Sequence, residues 1–240
     1  VLPAFNEAAG LPALIEAFGD AHLPYAIIVV DDGSADGTGD VARGMQSRFP
    51  VTVLVHDQNR GLAAAMRTGL DYACRQAGPD DVIATMDADN THRPAQIAEM
   101  VRAIEAGADI VIASRYVPGA AQAGVPAHRM LLSAGIGWML RLRFGLPGVR
   151  DYSCGFRAYR AALLQRALAA YGPRLIESAG FVVMTELLVK LAPFEPRITE
   201  IPLDLRYNRK AGASKMPTGR TIAGYLQLMA QPGLRARPRA

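Results

Sequence analysis

The sequence is short of cysteine. Cys74 and Cys154 are the only two in 240 residues, and neither belongs to a Cys-x-x-Cys pair. That excludes a disulfide scaffold and a thiolate zinc framework, and it points to a reducing compartment. Long apolar runs are lacking too. No stretch of about 20 apolar residues exists, so no transmembrane helix is expected. No secretory leader is visible. Aromatics make up 7% of the chain and the formal net charge is only +4. No basic stripe interleaved with aromatics occurs, so nucleic acid is not an expected partner. No repeat or low-complexity tract is present. No GxGxxG follows the first strand, which disfavours a dinucleotide-dependent dehydrogenase.

What is present is apolar bulk in a regular order. Half of the residues are hydrophobic and a fifth are charged, enough for a sizeable core in one large domain. The chain opens on "VLPAFNEA", without Met and already inside a strand pattern, so a few residues are expected upstream. "YAIIVVDD", "VTVLVHD", "DVIATMDAD" and "ADIVIASRY" read as buried strands. Between them, "ADGTGDVARGMQSRF", "GLAAAMRTGLDYACRQA" and "RPAQIAEMVRAIEAG" read as helices, the last with proline near its start and glycine at its end. Repeated β-α units with continuous apolar strands predict an α/β fold, a mostly parallel sheet with helices on both faces. Ligands of such sheets bind beyond the carboxyl ends of the strands. Asp31, Asp32, Asp57, Asp87, Asp89, Ser114 and Arg115 end these strands and are expected to rim one cleft.

After residue 116 the pattern changes. "VPGAAQAGVPA" reads as a loop, and "HRMLLSAGIGWMLRLRFGL" as a helix apolar almost all round. "VRDYSCGFRAYR" reads as polar and turn-like, "FVVMTELLVKL" as a helix and "RITEIPLDLRY" as one strand. "NRKAGASKM" is a cationic loop and "TIAGYLQLMA" a final amphipathic helix before the basic tail "LRARPRA". The expected division is residues 1–116, residues 117–216 as a second half of the same domain, and residues 217–240 as the terminal helix and tail.

Two acidic motifs carry the chemistry. In "MDADNTH", Asp87 and Asp89 are two apart, so on a strand they face the same way. Such a pair suits Mg²⁺ or Mn²⁺, hard cations that take oxygen ligands and often bridge to phosphates. It also suits a helix N-cap, and "DADNT" fits the DxDxT nucleophile motif of haloacid-dehalogenase-like phosphatases. In "VVDDGSADGT", Gly33, Ser34 and Gly37 suit a tight turn, while the adjacent acids suit ribose hydroxyls or nucleobase N–H groups. All four histidines, His22, His56, His92 and His128, read as structural or exposed, with a site role for His92, close to the acidic motif, as the lesser alternative.

Taken together, "VLPAFNEA", "VVDDGSADGT", "NRGLAAAMRTG", "MDADNTH" and "ASRY" resemble the nucleotide-sugar half of glycosyltransferase family 2, a GT-A fold. "RMLLSAG", "DYSCGFRAYR" and "EIPLDLRYNRKAGASKM" are similar to its dolichyl- or polyprenyl-phosphate mannose synthase branch, so the resemblance covers about residues 1 to 216. It implies that Pro3, Phe5, Glu7, Asp31, Asp32, Ser34 and Arg60 hold the donor nucleotide. It implies that Asp87 and Asp89 bind the metal and diphosphate. Arg115, Arg129, Ser133, Arg157, Arg206 and Lys215 then meet the acceptor or close over phosphates, with Arg115 and Arg129 also counted as catalytic. A glutamine two places after the second aspartate joins the metal shell in the mannose synthases; Thr91 stands there here.

The activity this implies is inverting transfer of a sugar, with mannose from GDP-mannose favoured and UDP-glucose next, to a polyprenyl monophosphate. A phosphate monoester is already largely dianionic near neutrality, so no strong general base is needed. A sugar-hydroxyl acceptor, with Asp151 as base, and a non-catalytic nucleotide-sugar binder are the competing expectations. A lipid acceptor also implies a cytoplasmic protein peripheral at the membrane face. The helix over residues 129–144 is then either a core helix or one lying in the interface with its arginines snorkelling and Trp138 at the boundary.

Overall fold

The computed structural model describes residues 1–207, 218–231 and 234. The first half alternates as its apolar runs predict. β1 (Leu2–Ala4), β2 (Ile27–Asp31) and β3 (Val51–Val55) pair in parallel in the order β1-β2-β3. α1 (Leu11–Glu16), α2 (Thr38–Gly44) and α3 (Leu62–Gln76) connect and cover them. β4 (Val82–Thr85), α4 (Ile97–Glu105) and β5 (Ile110–Ser114) follow. Val1 joins β1 to β4: its nitrogen donates to Ala84 O at 2.6 Å and its carbonyl accepts from Met86 N at 3.1 Å, a parallel pattern. β5 is buried at every position, which explains its unbroken apolar run.

The second half departs from expectation in three places. β7 (Arg157–Arg160), inside the segment read as turn-like, lies antiparallel between β4 and β5 at the centre of the sheet. Its sequence, Arg-Ala-Tyr-Arg, hides a buried strand behind two charged ends. The segment read as one strand is two, β8 (Ile198–Pro202) and β9 (Asp204–Arg206), divided at Leu203 just after a proline. β8 extends the sheet beside β5, whereas β9 pairs in parallel with β6 (Ala121–Ala123), a short strand within the expected loop.

α6 (Ala161–Tyr171) and α7 (Val183–Leu191) complete the core, and every residue of α7 is buried. α5 (Ala127–Phe144) is not a core helix. Leu131 and Leu142 are each 75% exposed and Trp138 is 63% exposed, while Leu140 and Phe144 point inward. α8 (Thr218–Ala230) packs beside it, and Arg143 Nε of α5 donates to Met229 O at 2.8 Å. No helix among the described residues is long and apolar enough to cross a membrane.

Candidate active site

The carboxyl ends of β1, β2 and β4 open into a cavity of about 1070 Å³ that runs on between α5 and α8. Pro3, Phe5, Glu7, Asp32, Asp87, Asp89 and Arg115 line its polar end. Leu132, Ser133, Ile136, Phe181, Val182, Tyr225 and Leu228 line the other. The strand-end rule therefore places the main acids correctly. α8 is also built into the cavity wall.

Asp32 is 3% exposed and hydrogen-bonded on both oxygens. Its Oδ1 meets His56 Nδ1 at 2.7 Å and accepts from Arg60 N at 3.0 Å; its Oδ2 accepts from Gly61 N at 2.7 Å. The other His56 nitrogen faces Thr68 Oγ1 at 2.9 Å. The carboxylate thus pins the "NRG" turn against the end of β2. Arg60 contributes its backbone amide to this knot, whereas its side chain turns outward to Asp57 at 3.6 Å. Neither Arg60 nor Asp57 lines the cavity.

Asp31 points the other way. Its Oδ1 accepts from Ser34 N at 3.1 Å, and its Oδ2 lies so near Gly39 that a Cβ there would sit 2.5 Å away. Ser34 Oγ accepts from Asn6 N at 2.9 Å, and Asn6 Oδ1 accepts from Ala35 N at 2.9 Å. Asp31 and Ser34, both expected at the nucleotide, instead stitch the β1–α1 and β2–α2 loops together behind the cavity wall. Asp31 is structural here while Asp32 reaches the cavity because neighbouring side chains leave a strand on opposite faces.

Asp87 and Asp89 both line the cavity, with Ala88 buried between them. Thr91 Oγ1 donates to Asp89 Oδ1 at 2.7 Å and Thr91 N donates to the same oxygen at 3.2 Å. Thr91 is 3% exposed, and its carbonyl accepts from Arg206 N at 2.9 Å. It holds the Asp89 carboxylate in place, and it lines the cavity beside the acidic pair. Two hard carboxylate groups on one cavity wall fit Mg²⁺ or Mn²⁺. No group of three or more His, Cys, Asp or Glu placed for a metal occurs among the described residues, so donor oxygens and water would complete such a shell. His92 also lines the cavity, stacked on Phe156 with ring centroids 5.1 Å apart.

Arg115 and Asp151 form the strongest charged pair in the site. Arg115 Nε and Nη2 donate to the two Asp151 oxygens, each at 2.7 Å, and Nη2 also donates to Ser153 Oγ at 2.6 Å. Asp151 further accepts from the amides of Arg115, Ser153 and Cys154 at 3.0–3.1 Å. Burial alone would push this carboxyl up; the Arg115 charge and these hydrogen bonds outweigh it and hold Asp151 below the usual carboxylate range. Burial likewise pushes the Cys154 thiol up to about 12, with Asp151 adding to the effect, which removes it as a nucleophile near neutral pH.

Arg157 is not at the acceptor side. It is fully buried in β7, where Nη1 donates to Met184 O at 2.6 Å and Nη2 to Tyr152 O at 2.7 Å. Its charge is spent on backbone carbonyls under the floor of the site. Arg206 lies beside the cavity and pairs with Asp204 at 3.2 Å without lining it. Ser133 lines the cavity and meets Tyr116 OH at 3.0 Å. Arg129 falls on the first turn of α5, with its side chain outside the described residues, and Lys215 lies outside them altogether. Reading by sequence missed the wall at residues 177–182, which contributes Glu177 to Val182. Its anchor was visible only as a helical i, i+4 pair: Glu186 Oε1 meets Lys190 Nζ at 2.7 Å, and the same carboxylate accepts from the amides of Glu177 and Ser178.

A family model described as glycosyl transferase family 2 matches residues 1–168. Polyprenol monophosphomannose synthase of Mycolicibacterium smegmatis is 33% identical over 240 residues, covering 99% of this chain and 87% of that protein. Undecaprenyl-phosphate mannosyltransferase of Micrococcus luteus is 33% identical over 220 residues, covering 91% of this chain and 87% of that protein. Among solved structures, glucosyl-3-phosphoglycerate synthase from Mycobacterium tuberculosis, in complex with Mn²⁺ and UDP-glucose, superposes with a TM-score of 0.65 at 20% identity. That alignment covers 95% of this chain and 75% of the other, and shows a shared GT-A fold.

Proposed function

The chain belongs to glycosyl transferase family 2, and from that premise we propose that it transfers mannose from GDP-mannose to a polyprenyl monophosphate. Both named relatives are, by name, mannose transferases or synthases of a polyprenyl phosphate, at one-third identity over nearly the whole chain. The observation that carries the choice of acceptor is the state of Asp151. A sugar-hydroxyl acceptor needs a base to take its proton. Asp151, the carboxylate nearest that task in the sequence, is fully buried, accepts five hydrogen bonds from N–H groups and is held below the usual carboxylate range. A phosphate acceptor, already ionised, needs no such base.

The division of labour follows from the cavity. Phe5, Glu7 and the Asp32 knot take the nucleoside. Asp87 and Asp89 hold the divalent ion, which when bound neutralises charge on the departing diphosphate. Arg115 and Ser133 meet the acceptor phosphate, with Arg129 and Lys215 the further cations expected there. The apolar walls of α5 and α8 receive the first units of the lipid. The outer faces of those helices expose Leu131, Trp138, Leu142 and Leu226, with Arg141 exposed near the end of α5, and we place them against the membrane surface.

The test is direct. Purified protein with Mn²⁺ or Mg²⁺, GDP-mannose and a polyprenyl phosphate should release GDP and form a mannosylated lipid. UDP-glucose in place of GDP-mannose should give much less product. Release of nucleoside diphosphate only with a free sugar as acceptor would overturn the reading.

A further inference from the structure

We propose that Asp151 and Ser153 clamp Arg115 in one orientation, which makes Asp151 a positioning residue for the acceptor phosphate. This rests on the reading above, in which Arg115 meets that phosphate.

An arginine on a cavity wall ordinarily samples many rotamers, and ordering it costs side-chain entropy. Here that ordering is done before any ligand arrives. Nε and Nη2 form a planar fork on the two Asp151 oxygens, and the second Nη2 hydrogen goes to Ser153 Oγ. Among the described residues Nη1 has no hydrogen-bond partner, so its two N–H groups remain for an anion. The Asp151 side chain is 0% exposed and the Arg115 side chain 19% exposed, so the carboxylate lies beneath and the guanidinium at the cavity face.

The clamp is itself anchored. Glu200 Oε1 of β8 accepts from Arg150 N at 2.6 Å and Asp151 N at 2.7 Å, tying the turn to the sheet. On its other side the guanidinium lies over the Tyr116 ring, 5.4 Å from the centroid. The Tyr116 hydroxyl then meets Ser133 Oγ on α5. Two residues expected at the phosphate are thus joined through one rigid path that begins at Asp151. Preorganised donors of this kind need no reorganisation when charge arrives.

A double-mutant cycle on the full chain tests it, read by calorimetric binding of geranyl phosphate in the presence of GDP and Mn²⁺. Arg115→Ala should weaken that binding about 30-fold or more, and Asp151→Asn about 10- to 100-fold. The two together should lose no more than about twofold beyond Arg115→Ala alone, because Asp151 acts through Arg115. Ser153→Ala should lose about three- to tenfold and show the same non-additivity, which keeps the test open if Asp151→Asn does not fold. Binding of GDP with Mn²⁺ should stay within about twofold throughout, a readout that general loosening of the site would move. Additive losses, or a parallel fall in GDP binding, would overturn the clamp. Tight geranyl phosphate binding with the expected cycle but no mannosyl transfer would leave the clamp standing and sink the function. Absence of geranyl phosphate binding to the wild-type protein would sink both.

Discussion

Two acidic pairs end two strands of the same sheet, and they do opposite things. Asp31 and Asp32 are adjacent, so they leave the strand on opposite sides. Asp31 turns to the start of α2, and Asp32 turns to His56 and the "NRG" turn. The mutual repulsion that makes two neighbouring acids look costly in the sequence is relieved by this divergence and by the amides each one gathers. Asp87 and Asp89 are two apart, and both face the cavity with Ala88 buried between them. Asp31 is committed to its own loop, Asp32 both anchors a turn and lines the cavity, and Asp87 and Asp89 line the cavity from the bend just past β4.

The comparison breaks most visibly at the second pair. Asp87→Asn or Asp89→Asn should lower kcat by about 10³-fold, since the charge that holds the divalent ion is halved. Mn²⁺ binding, followed by electron paramagnetic resonance, should weaken in step, while Tm moves by only a few degrees. Asp32→Asn should do the reverse. Three hydrogen bonds converge on that buried carboxylate, and an amide can accept only part of them. A stability loss of about 2–4 kcal/mol in urea melts is expected. Mn²⁺ affinity should be nearly unchanged. An Asp32→Asn protein as stable as the wild type would mean that this carboxylate serves ligand rather than scaffold.

The sequence made the α/β order and the strand-end rim readable because those features rest on local periodicity and on chain direction. Asp87, Asp89, Asp32 and Arg115 all reach the cavity for that reason. What stayed hidden depends on partners far along the chain. Arg157 reads as a cation at the acceptor phosphate because nothing local reveals that Met184 and Tyr152 offer it carbonyls in the core. β7 reads as a turn because its ends are charged and its burial comes from β4 and β5 on either side. The exposed flank of α5 was undecidable from composition, since a helix apolar all round fits a core or an interface equally well. Asp151 reads as a free acid in a polar segment, and only the fold brings Arg115, 36 residues earlier, onto both of its oxygens.

The two pairs also differ in how each carboxylate is steadied, and Thr91 is where that difference is smallest and most telling. The mannose synthases the chain resembles place a glutamine there as a metal ligand. The hydroxyl of Thr91 is already donating to Asp89 Oδ1 at 2.7 Å. That bond fixes one oxygen of Asp89, so in the proposed metal site coordination would fall to the carboxylates. Thr91→Val keeps the shape and removes the donor. It should cost about 0.5–1.5 kcal/mol of stability and weaken Mn²⁺ binding by about tenfold, the scale of lost outer-shell support. Thr91→Ser, which restores the hydroxyl, should bring Mn²⁺ affinity back to within about twofold of the wild type. If Val and Thr bind Mn²⁺ equally while Asp89→Asn does not, Asp89 needs no such support, and the second acidic pair is steadied by the sheet alone.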